Sequence, residues 1–298
     1  MHPQALPTGA ERDAELDVSS RAPPHLLSAR TLFADAGWRF LARVGVGGSA
    51  EVWHARDPSG RDVALKLPCA VPRPGVFAPL AREHELLACV RHPHIVATRG
   101  LIERGGACAL ALEYLPGGDL VALAGAHPSH WLTAARELHA ALEHLHARGC
   151  AHRDVKARNV LFDAHGRARL IDFTSALPIG ARAPSGGTTS AHRHAEQAAT
   201  VSAADDAYAF AVLLYELFAG RLPYGPAGRA AARSSAPVSP PWSLAGRAPV
   251  DRAAAALADR VVEVLEADAR TAPGLSELAD VLESAAAAYA RPRRSDRT

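Results

Sequence analysis

The sequence predicts an α+β fold, in which a small β-rich lobe precedes a larger helical lobe. Residues 38–112 contain short runs in which apolar and polar side chains alternate, separated by glycines, and this pattern is typical of strands. After Pro116-Gly117-Gly118 the apolar residues recur at the spacing of helices. The length of 298 residues accommodates two domains or one large two-lobed domain, and the hydrophobic fraction of 48% excludes wholesale disorder.

The β-rich part is predicted to contain four strands and one helix. The strands are expected at residues 38–44, 63–67, 95–98 and 107–112, and the helix at about 80–90. His92-Pro93 ends this helix, because the residue before a proline is disfavoured in the helical conformation. Glycines at 45, 47 and 48 follow the first strand and predict a flexible hairpin.

The helical part is predicted from runs in which apolar residues recur every three or four positions. These runs are residues 132–148, 207–219, 251–267 and 275–289, and the stretches 178–190 and 225–249 between them are predicted loops. The chain is accordingly divided into four segments. They are a mobile N-terminal tail (1–35), an N-lobe (36–113), a C-lobe (114–290) and a basic tail (291–298).

Charge and cysteine content exclude several classes of protein. The formal charge of +2 argues against a nucleic-acid binder, which would carry a basic excess. No apolar run reaches the roughly 18 residues of a membrane span, and the N-terminus lacks the pattern of a signal peptide. The four cysteines contain no CxxC pair, so we expect reduced thiols and a cytoplasmic location.

Lysine and asparagine are unusually rare in this sequence. Only two of the 33 Lys and Arg residues are lysines, Lys66 and Lys156, and Asn159 is the only asparagine. Lysine carries a compact point charge, whereas arginine presents a planar fork. These three residues are therefore candidates for chemistry that arginine and the other polar residues cannot perform.

A glycine-rich hairpin precedes the first of these lysines. In residues 45–52 the glycines allow backbone N–H groups to approach phosphates without an intervening Cβ, although glycine hairpins are also common without any ligand. Lys66 follows in an apolar strand, fourteen residues after Val52. It is either an edge lysine that extends to water or, as we favour after such a hairpin, the cation that holds nucleotide phosphates.

The strongest motif is the segment 152–162, which contains the second lysine and the only asparagine. Asp154, Lys156 and Asn159 lie within six positions, and Asp172 ends an apolar run thirteen residues later. Phosphoryl transfer needs a carboxylate that receives the hydroxyl proton, oxygen ligands for Mg²⁺ and a cation near the phosphoryl group. The segment supplies all of these groups, and a polar turn capped by the aspartate is the plainer alternative.

With these motifs the sequence resembles the eukaryotic-type (Hanks-type) Ser/Thr protein kinases of bacteria over about residues 36–290. The resemblance implies a two-lobed protein-kinase-like fold with ATP between the lobes. It implies that Asp154 is the catalytic base and that Lys156 contacts the γ-phosphate. It further implies that Asn159 and Asp172 are the Mg²⁺ ligands.

The resemblance also assigns a nucleotide site. Lys66 would bind the α- and β-phosphates and pair with Glu83, with Glu85 as the nearby competitor. Glu113 and Leu115 would offer backbone groups to adenine, and Asp119 would reach the ribose. The implied nucleotide-binding residues are Val44, Gly45, Gly47, Val52, Ala64, Lys66, Glu113, Leu115, Asp119 and Leu161.

Two further positions match the family and bear on the catalytic loop. Asp206 resembles the buried aspartate that holds this loop, although an ordinary helix N-cap is the simpler interpretation. Arg153 matches an arginine that binds a phosphate on the activation loop, where Ser185, Thr188, Thr189 and Ser190 are candidate acceptors.

Three motifs depart from the family pattern. Thr174 replaces the glycine of Asp-Phe-Gly, and its β-branched side chain is expected to restrain the flip of this segment. His194-Ala195-Glu196 stands in place of Ala-Pro-Glu, and Ala272 falls where an arginine that pairs with the glutamate is expected. These departures bear on substrate docking and control more than on ATP chemistry.

The sequence therefore predicts an ATP- and Mg²⁺-dependent kinase that phosphorylates Ser and Thr hydroxyls of proteins and autophosphorylates. Lys156 favours Ser/Thr over Tyr substrates, because tyrosine kinases of the family generally place Ala or Arg near this position. The alternatives are a pseudokinase that acts as a scaffold and a small-molecule phosphotransferase of the aminoglycoside-kinase type. We expect ATP and protein substrates as partners, with no nucleic acid and no membrane span.

Overall fold

A computed structural model describes residues 24–47, 50–69, 78–182, 200–225, 252–267 and 274–290. Several predicted features lie outside these residues. They are the tail before residue 24, the basic tail 291–298, most of the two predicted loops (183–190 and 226–249), the candidate acceptors Ser185, Thr188, Thr189 and Ser190, the segment His194-Ala195-Glu196, and Ala272.

The N-lobe is built on a five-stranded antiparallel sheet with the strand order β1-β2-β3-β5-β4. Its strands are β1 (Arg39–Val46), β2 (Ala50–Arg56), β3 (Asp62–Pro68), β4 (Thr98–Arg104) and β5 (Ala107–Glu113). Helix α2 (Ala78–Cys89) crosses from β3 to β4. The strand predicted at residues 95–98 lies later in the chain, as β4. Residues 95–97 instead contact the C-lobe, where Ile95 forms an isolated bridge with Leu170.

Part of the predicted N-terminal tail is ordered as helix α1 (Pro24–Ala34), so the expectation of a mobile tail up to residue 35 is wrong for these residues. Phe33 is completely buried among the apolar side chains of the sheet, where it packs with Trp53 and Val63. The guanidinium of Arg30 lies 4.0 Å from the centre of the Trp53 ring, within the range of a cation–π contact. These contacts attach the helix to strands that come later in the chain.

After the short strand β6 (Cys150–Ala151) comes a hairpin of β7 (Val160–Phe162) and β8 (Ala168–Leu170). The turn between β2 and β3 and the turn of this hairpin share the sequence Asp-x-x-Gly-Arg. In the first turn, Asp57 accepts a hydrogen bond from the Arg61 amide at 3.0 Å and one from the Arg61 side chain at 2.9 Å. In the second, Asp163 accepts the same two bonds from Arg167 at 3.0 and 2.9 Å. The aspartate thus satisfies the amides inside each turn and fixes the register of both hairpins.

The described part of the C-lobe contains four α-helices around the main hydrophobic core. They are α3 (Leu132–Ala147), α4 (Ala203–Ala219), α5 (Arg252–Glu266) and α6 (Leu275–Ala290). Helix α4 is buried over most of its length, as its nearly continuous apolar sequence requires. It starts four residues before the predicted start, because Ser202 and Asp205 form a capping box at its N-terminus. Across the described residues, no helix is long and apolar enough to cross a membrane.

The two lobes are joined directly at two places near the expected cleft. Leu170 donates a backbone hydrogen bond to His94 at 2.9 Å and accepts one from Val96 at 3.0 Å. After β5, the Gly117 amide donates to the Phe162 carbonyl at 2.9 Å. A Cβ atom on Gly117 would lie 2.6 Å from the Cβ of Phe162, so only glycine permits this approach. The linker between the lobes is therefore attached to the hairpin that follows the 152–159 motif.

Candidate active site

The lysine of strand β3 is held by a buried ion pair with helix α2. Lys66 Nζ lies 2.9 and 2.8 Å from the two carboxylate oxygens of Glu83, and both residues are buried. Glu85, the competing candidate, is exposed on the other side of the helix. The structure therefore brings Lys66 together with Glu83.

Asp172 completes this cluster from the C-lobe side. Its Oδ1 lies 2.9 Å from Lys66 Nζ, and its backbone has a left-handed conformation with φ of 62°. Burial opposes ionisation of this carboxyl group, but the Lys66 cation and the Thr174 hydroxyl outweigh that effect and lower the pKa of Asp172 to about 2. Burial likewise opposes the charge of Lys66, yet Glu83 and Asp172 raise its pKa above the ordinary value. Asp172 and Lys66 therefore both remain ionised at neutral pH.

The catalytic-loop motif is anchored by Asp206, at the start of helix α4. This fully buried carboxylate accepts the backbone amides of His152 and Arg153, each at 2.7 Å, and His146 Nε2 lies 2.8 Å from it. Arg153 has a left-handed backbone with φ of 67°, which is unfavourable for a residue with a Cβ. Asp206 thus does more than cap its own helix, because its two short bonds hold the turn that presents Asp154.

Asp154, Lys156 and Asn159 form one hydrogen-bonded group. Lys156 Nζ and Asn159 Nδ2 both donate to Asp154 Oδ2, at 2.7 and 2.8 Å, and Asn159 also donates to the Asp154 carbonyl at 2.8 Å. The amide nitrogen of Asn159 is thereby committed, and its amide oxygen is the atom that can bind a metal ion. The Asn159 carbonyl accepts the Ile171 amide at 2.9 Å, which places Asn159 beside the strand end that carries Asp172.

The glycine-rich hairpin lies next to Lys66 in the sheet. Gly45 pairs with Val52 across β1 and β2, and Val52 pairs with Lys66 across β2 and β3. The Gly47 amide donates a 2.8 Å hydrogen bond across the hairpin. Val44 is 53% exposed, so this apolar side chain is available to a ligand in the cleft. The hairpin is accordingly in place to cover whatever Lys66 binds.

The remaining predicted nucleotide residues lie along the linker and the strands beside it. Ala64 pairs with Leu112 at the end of the sheet, and Leu115 is buried just beyond it. The Glu113 amide donates to Ala97 at 2.9 Å, so the backbone group that Glu113 can offer is its carbonyl. Farther along, Asp119 forms an isolated bridge with Leu161.

The sequence matches the family model described as Protein kinase domain over residues 38–238. The chain belongs to the protein kinase family. Its sheet and helical lobe have the α+β arrangement that the sequence predicts, which confirms the fold class. Protein kinase domains in general use ATP and a divalent metal ion and act on proteins.

The relatives of this chain include kinases of bacteria, plants and mammals. Serine/threonine-protein kinase pkn2 of Myxococcus xanthus is 32% identical over 286 residues, covering 87% of this chain and 34% of the relative. DNA damage-responsive serine/threonine-protein kinase RqkA of Deinococcus radiodurans is 35% identical over 213 residues, covering 66% and 32%. Salt tolerance receptor-like cytoplasmic kinase 1 of Oryza sativa subsp. japonica is 30% identical over 240 residues, covering 73% and 66%.

The chain thus spans about a third of the length of these two bacterial relatives. Together with the family match, they confirm the resemblance to bacterial Ser/Thr kinases. None of the four cysteines of this kinase domain forms a disulfide bond.

One polar contact of the site is absent from the sequence-based assignment. Thr174 was expected only to stiffen the segment after Asp172, but its hydroxyl lies within hydrogen-bond distance of Lys66, Asp172 and Glu83. The sequence did contain a signal for this contact, because a residue with a hydroxyl group replaces glycine next to charged residues. Its partners, however, become visible only when the two lobes are assembled.

Proposed function

We infer that this chain is an ATP- and Mg²⁺-dependent protein kinase that transfers the γ-phosphoryl group of ATP to Ser or Thr hydroxyls of proteins, including its own. The observation that supports this best is the complete set of ionised groups at the lobe junction. Lys66, Glu83 and Asp172 form one group, and Asp154 with its two partners forms the second. A pseudokinase that acts only as a scaffold does not need both groups, because it transfers no phosphoryl group.

Asp154 is the residue that we assign to the acceptor hydroxyl. Its Oδ2 is held by Lys156 and Asn159, which orients the carboxylate and directs Oδ1 towards an incoming hydroxyl group. A carboxylate held in this way can accept the hydroxyl proton as the oxygen attacks. The Lys156 ammonium, 2.7 Å from the same carboxylate, supplies positive charge where the phosphoryl group arrives.

The donor set at the lobe junction fits a hard divalent cation. Asp172 offers a carboxylate that is ionised at neutral pH, and Asn159 offers an amide oxygen. Magnesium prefers oxygen ligands and usually binds through one or two protein groups together with phosphate oxygens. When bound, Mg²⁺ would neutralise charge that develops on the phosphates. We therefore propose Asp172 and Asn159 as its protein ligands.

Nucleotide binding is proposed at the linker and under the glycine-rich hairpin. The Glu113 carbonyl and the backbone of Leu115 would meet the adenine edge, and Asp119 would reach the ribose. The apolar side chains of Val44, Val52, Ala64 and Leu161 would enclose the ring. Lys66 would bind the α- and β-phosphates, and Gly45 and Gly47 would let the hairpin backbone approach them.

Lys66 restricts how the nucleotide can enter. Its ammonium has three protons, and these already face Glu83, Asp172 and Thr174 at distances of 2.8 to 2.9 Å. A phosphate oxygen must therefore replace one of these partners. Asp172 is the partner that also has a metal ion to bind, so its bond to Lys66 is the one that we expect to break.

We further propose a cytoplasmic location and no nucleic-acid partner, on the basis of the balanced charge and the lack of disulfide bonds among the four cysteines. The small-molecule phosphotransferase and the scaffold remain the competing functions. Lys156 and the anchoring of the catalytic loop by Asp206 argue against the phosphotransferase. The assembled ionic cluster argues against the scaffold.

The experiment is incubation of the purified chain with γ-labelled ATP, Mg²⁺ and a generic protein substrate, followed by phosphoamino-acid analysis. Label on serine or threonine, absent with Asp154→Asn, supports the proposal. Label on phosphotyrosine would refute the assignment of the acceptor. Label found only on a small molecule favours the phosphotransferase, and no label on any acceptor favours the scaffold.

A further inference from the structure

Thr174 places a hydroxyl group where the family pattern has no side chain. Its Oγ1 lies 2.8 Å from Lys66 Nζ, 2.7 Å from Asp172 Oδ1 and 3.2 Å from Glu83 Oε2. The residue is half-buried at the junction between strand β3, helix α2 and the end of β8. One hydroxyl group therefore touches all three charged side chains of the cluster.

The protons of this cluster determine which of the contacts are hydrogen bonds. The Lys66 ammonium can only donate, so the Thr174 oxygen accepts from it. The hydroxyl then has a single proton to donate, and the shorter distance assigns that proton to Asp172 rather than to Glu83. Thr174 thus bridges the cation and the carboxylate that we assign to the metal ion.

The segment is also attached to helix α2 through its backbone. The Phe173 amide donates to Glu83 Oε1 at 3.2 Å, and the buried Phe173 ring packs against the His152 ring in a T-shaped arrangement, 4.7 Å between centres. Asp172, just before it, has the left-handed backbone conformation that non-glycine residues adopt rarely. The contacts of the following two residues are therefore needed to hold Asp172 in this conformation.

We propose that Thr174 is a positioning residue, whose hydroxyl group keeps Asp172, Lys66 and Glu83 assembled before the nucleotide binds. This inference rests on the proposed function, because it assigns Asp172 to the metal ion and Lys66 to the phosphates. When those ligands engage the two side chains, the hydroxyl proton can turn to Glu83 Oε2, 3.2 Å away. Thr174 then continues to hold helix α2 against the segment throughout the reaction.

The test compares four variants with the wild-type chain. Thr174→Val keeps the shape and the β-branching but removes the hydroxyl, and Thr174→Ser restores a hydroxyl without the methyl group. Ser175→Ala removes a neighbouring exposed hydroxyl and is the matched control. Thr174→Ala is the second hydroxyl-free variant, used in place of Thr174→Val if thermal unfolding shows that the latter does not fold.

Three measurements distinguish positioning from general stability. With Thr174→Val we expect the Mg²⁺ concentration for half-saturation to rise at least about threefold. We also expect kcat/KM for ATP to fall at least about tenfold, because the variant loses a hydrogen bond to charged groups. Hydrogen exchange of the Phe173 amide should be faster than in the wild type when no nucleotide is bound. Thr174→Ser should stay within about threefold of the wild type and Ser175→Ala should be unchanged.

The outcomes separate this inference from the proposed function. If Thr174→Val matches the wild type in Mg²⁺ dependence and in exchange, the positioning role is refuted. It is also refuted if Thr174→Ser is as impaired as Thr174→Val, since the hydroxyl would then not be the cause. If the wild type itself transfers no phosphate, the proposed function fails, whereas faster Phe173 exchange in Thr174→Val would still support the positioning contact.

Discussion

Replacing Asp206 by asparagine tests whether this buried carboxylate holds the catalytic loop. Its two oxygens each accept one backbone amide, Oδ2 from His152 and Oδ1 from Arg153, both at 2.7 Å. An asparagine has one oxygen and one NH₂ group, so in either orientation one of the two amides must face a donor. The variant has the same shape, and its effect therefore comes from the lost acceptor and the lost charge.

The size of this effect follows from the geometry. A buried N–H group without a partner costs about 1–3 kcal/mol, and hydrogen bonds to a charged group are worth about 1.5–3 kcal/mol. We expect Asp206→Asn to lower the free energy of unfolding by about 3 kcal/mol, a large part of the roughly 5–15 kcal/mol that a domain has. Displacement of the turn that carries Asp154 should lower kcat by about 100-fold, with a smaller change in KM for ATP.

Denaturant unfolding and steady-state kinetics measure the two quantities, and Asp205→Asn is the matched control. Asp205 is the adjacent residue and accepts the Ser202 amide at 3.3 Å within the capping box of helix α4. Its replacement should cost at most about 1 kcal/mol and leave the kinetics unchanged. Equal effects of the two substitutions on stability and on kcat would refute the anchoring role of Asp206.

Three further predictions concern the cleft and the linker. Lys66→Arg should lower kcat more than about tenfold, which corresponds to over about 1.4 kcal/mol of transition-state stabilisation. The reason is that a planar guanidinium cannot replace an ammonium surrounded by three partners. Retention of more than about a tenth of the wild-type kcat would contradict this. Asp172→Asn should weaken Mg·ATP binding in calorimetry, whereas Asp154→Asn should leave it intact, and equal affinities would argue against the assigned roles. Gly117→Ala should destabilise the domain by about 1–3 kcal/mol and lower its Tm, because a Cβ would lie 2.6 Å from the Cβ of Phe162. An unchanged Tm would show that the linker can shift freely.

Local sequence patterns predicted three of the five strands of the N-lobe sheet, helix α2, the four described C-lobe helices and the chemistry of the motifs, but they missed strand β2 and placed β4 too early in the chain. The strand and helix periods predicted the order of the elements, since side-chain burial repeats with the period of each element. The spacing from Asp154 to Asn159 and to Asp172 predicted the groups needed for phosphoryl transfer. These predictions depend on residues close together in the chain, so no knowledge of distant contacts was required.

Helix α1 was found only in the tertiary structure, which also gives the physical reason why Glu83, assigned by the resemblance, and not Glu85 meets Lys66. Helix α1 is ordered by the burial of Phe33 against strands that come later in the chain. Glu83 and Glu85 are two residues apart and so point in directions about 200° apart on a helix. The packing of α2 against β4, β5 and the turn at residues 173–175 turns Glu83, and not Glu85, towards Lys66.

The role of Thr174 depends most strongly on assembly. From the sequence alone its β-branched side chain predicted a stiffer segment, and nothing nearby in the chain except Asp172 could have partnered its hydroxyl. Lys66 is 108 positions away and Glu83 is 91 positions away, yet both contact the same oxygen atom. The sequence by itself determined which charged groups this kinase domain has. Only the folded chain decided which neutral group connects them, because the partners of a hydroxyl group depend on packing and not on spacing along the chain.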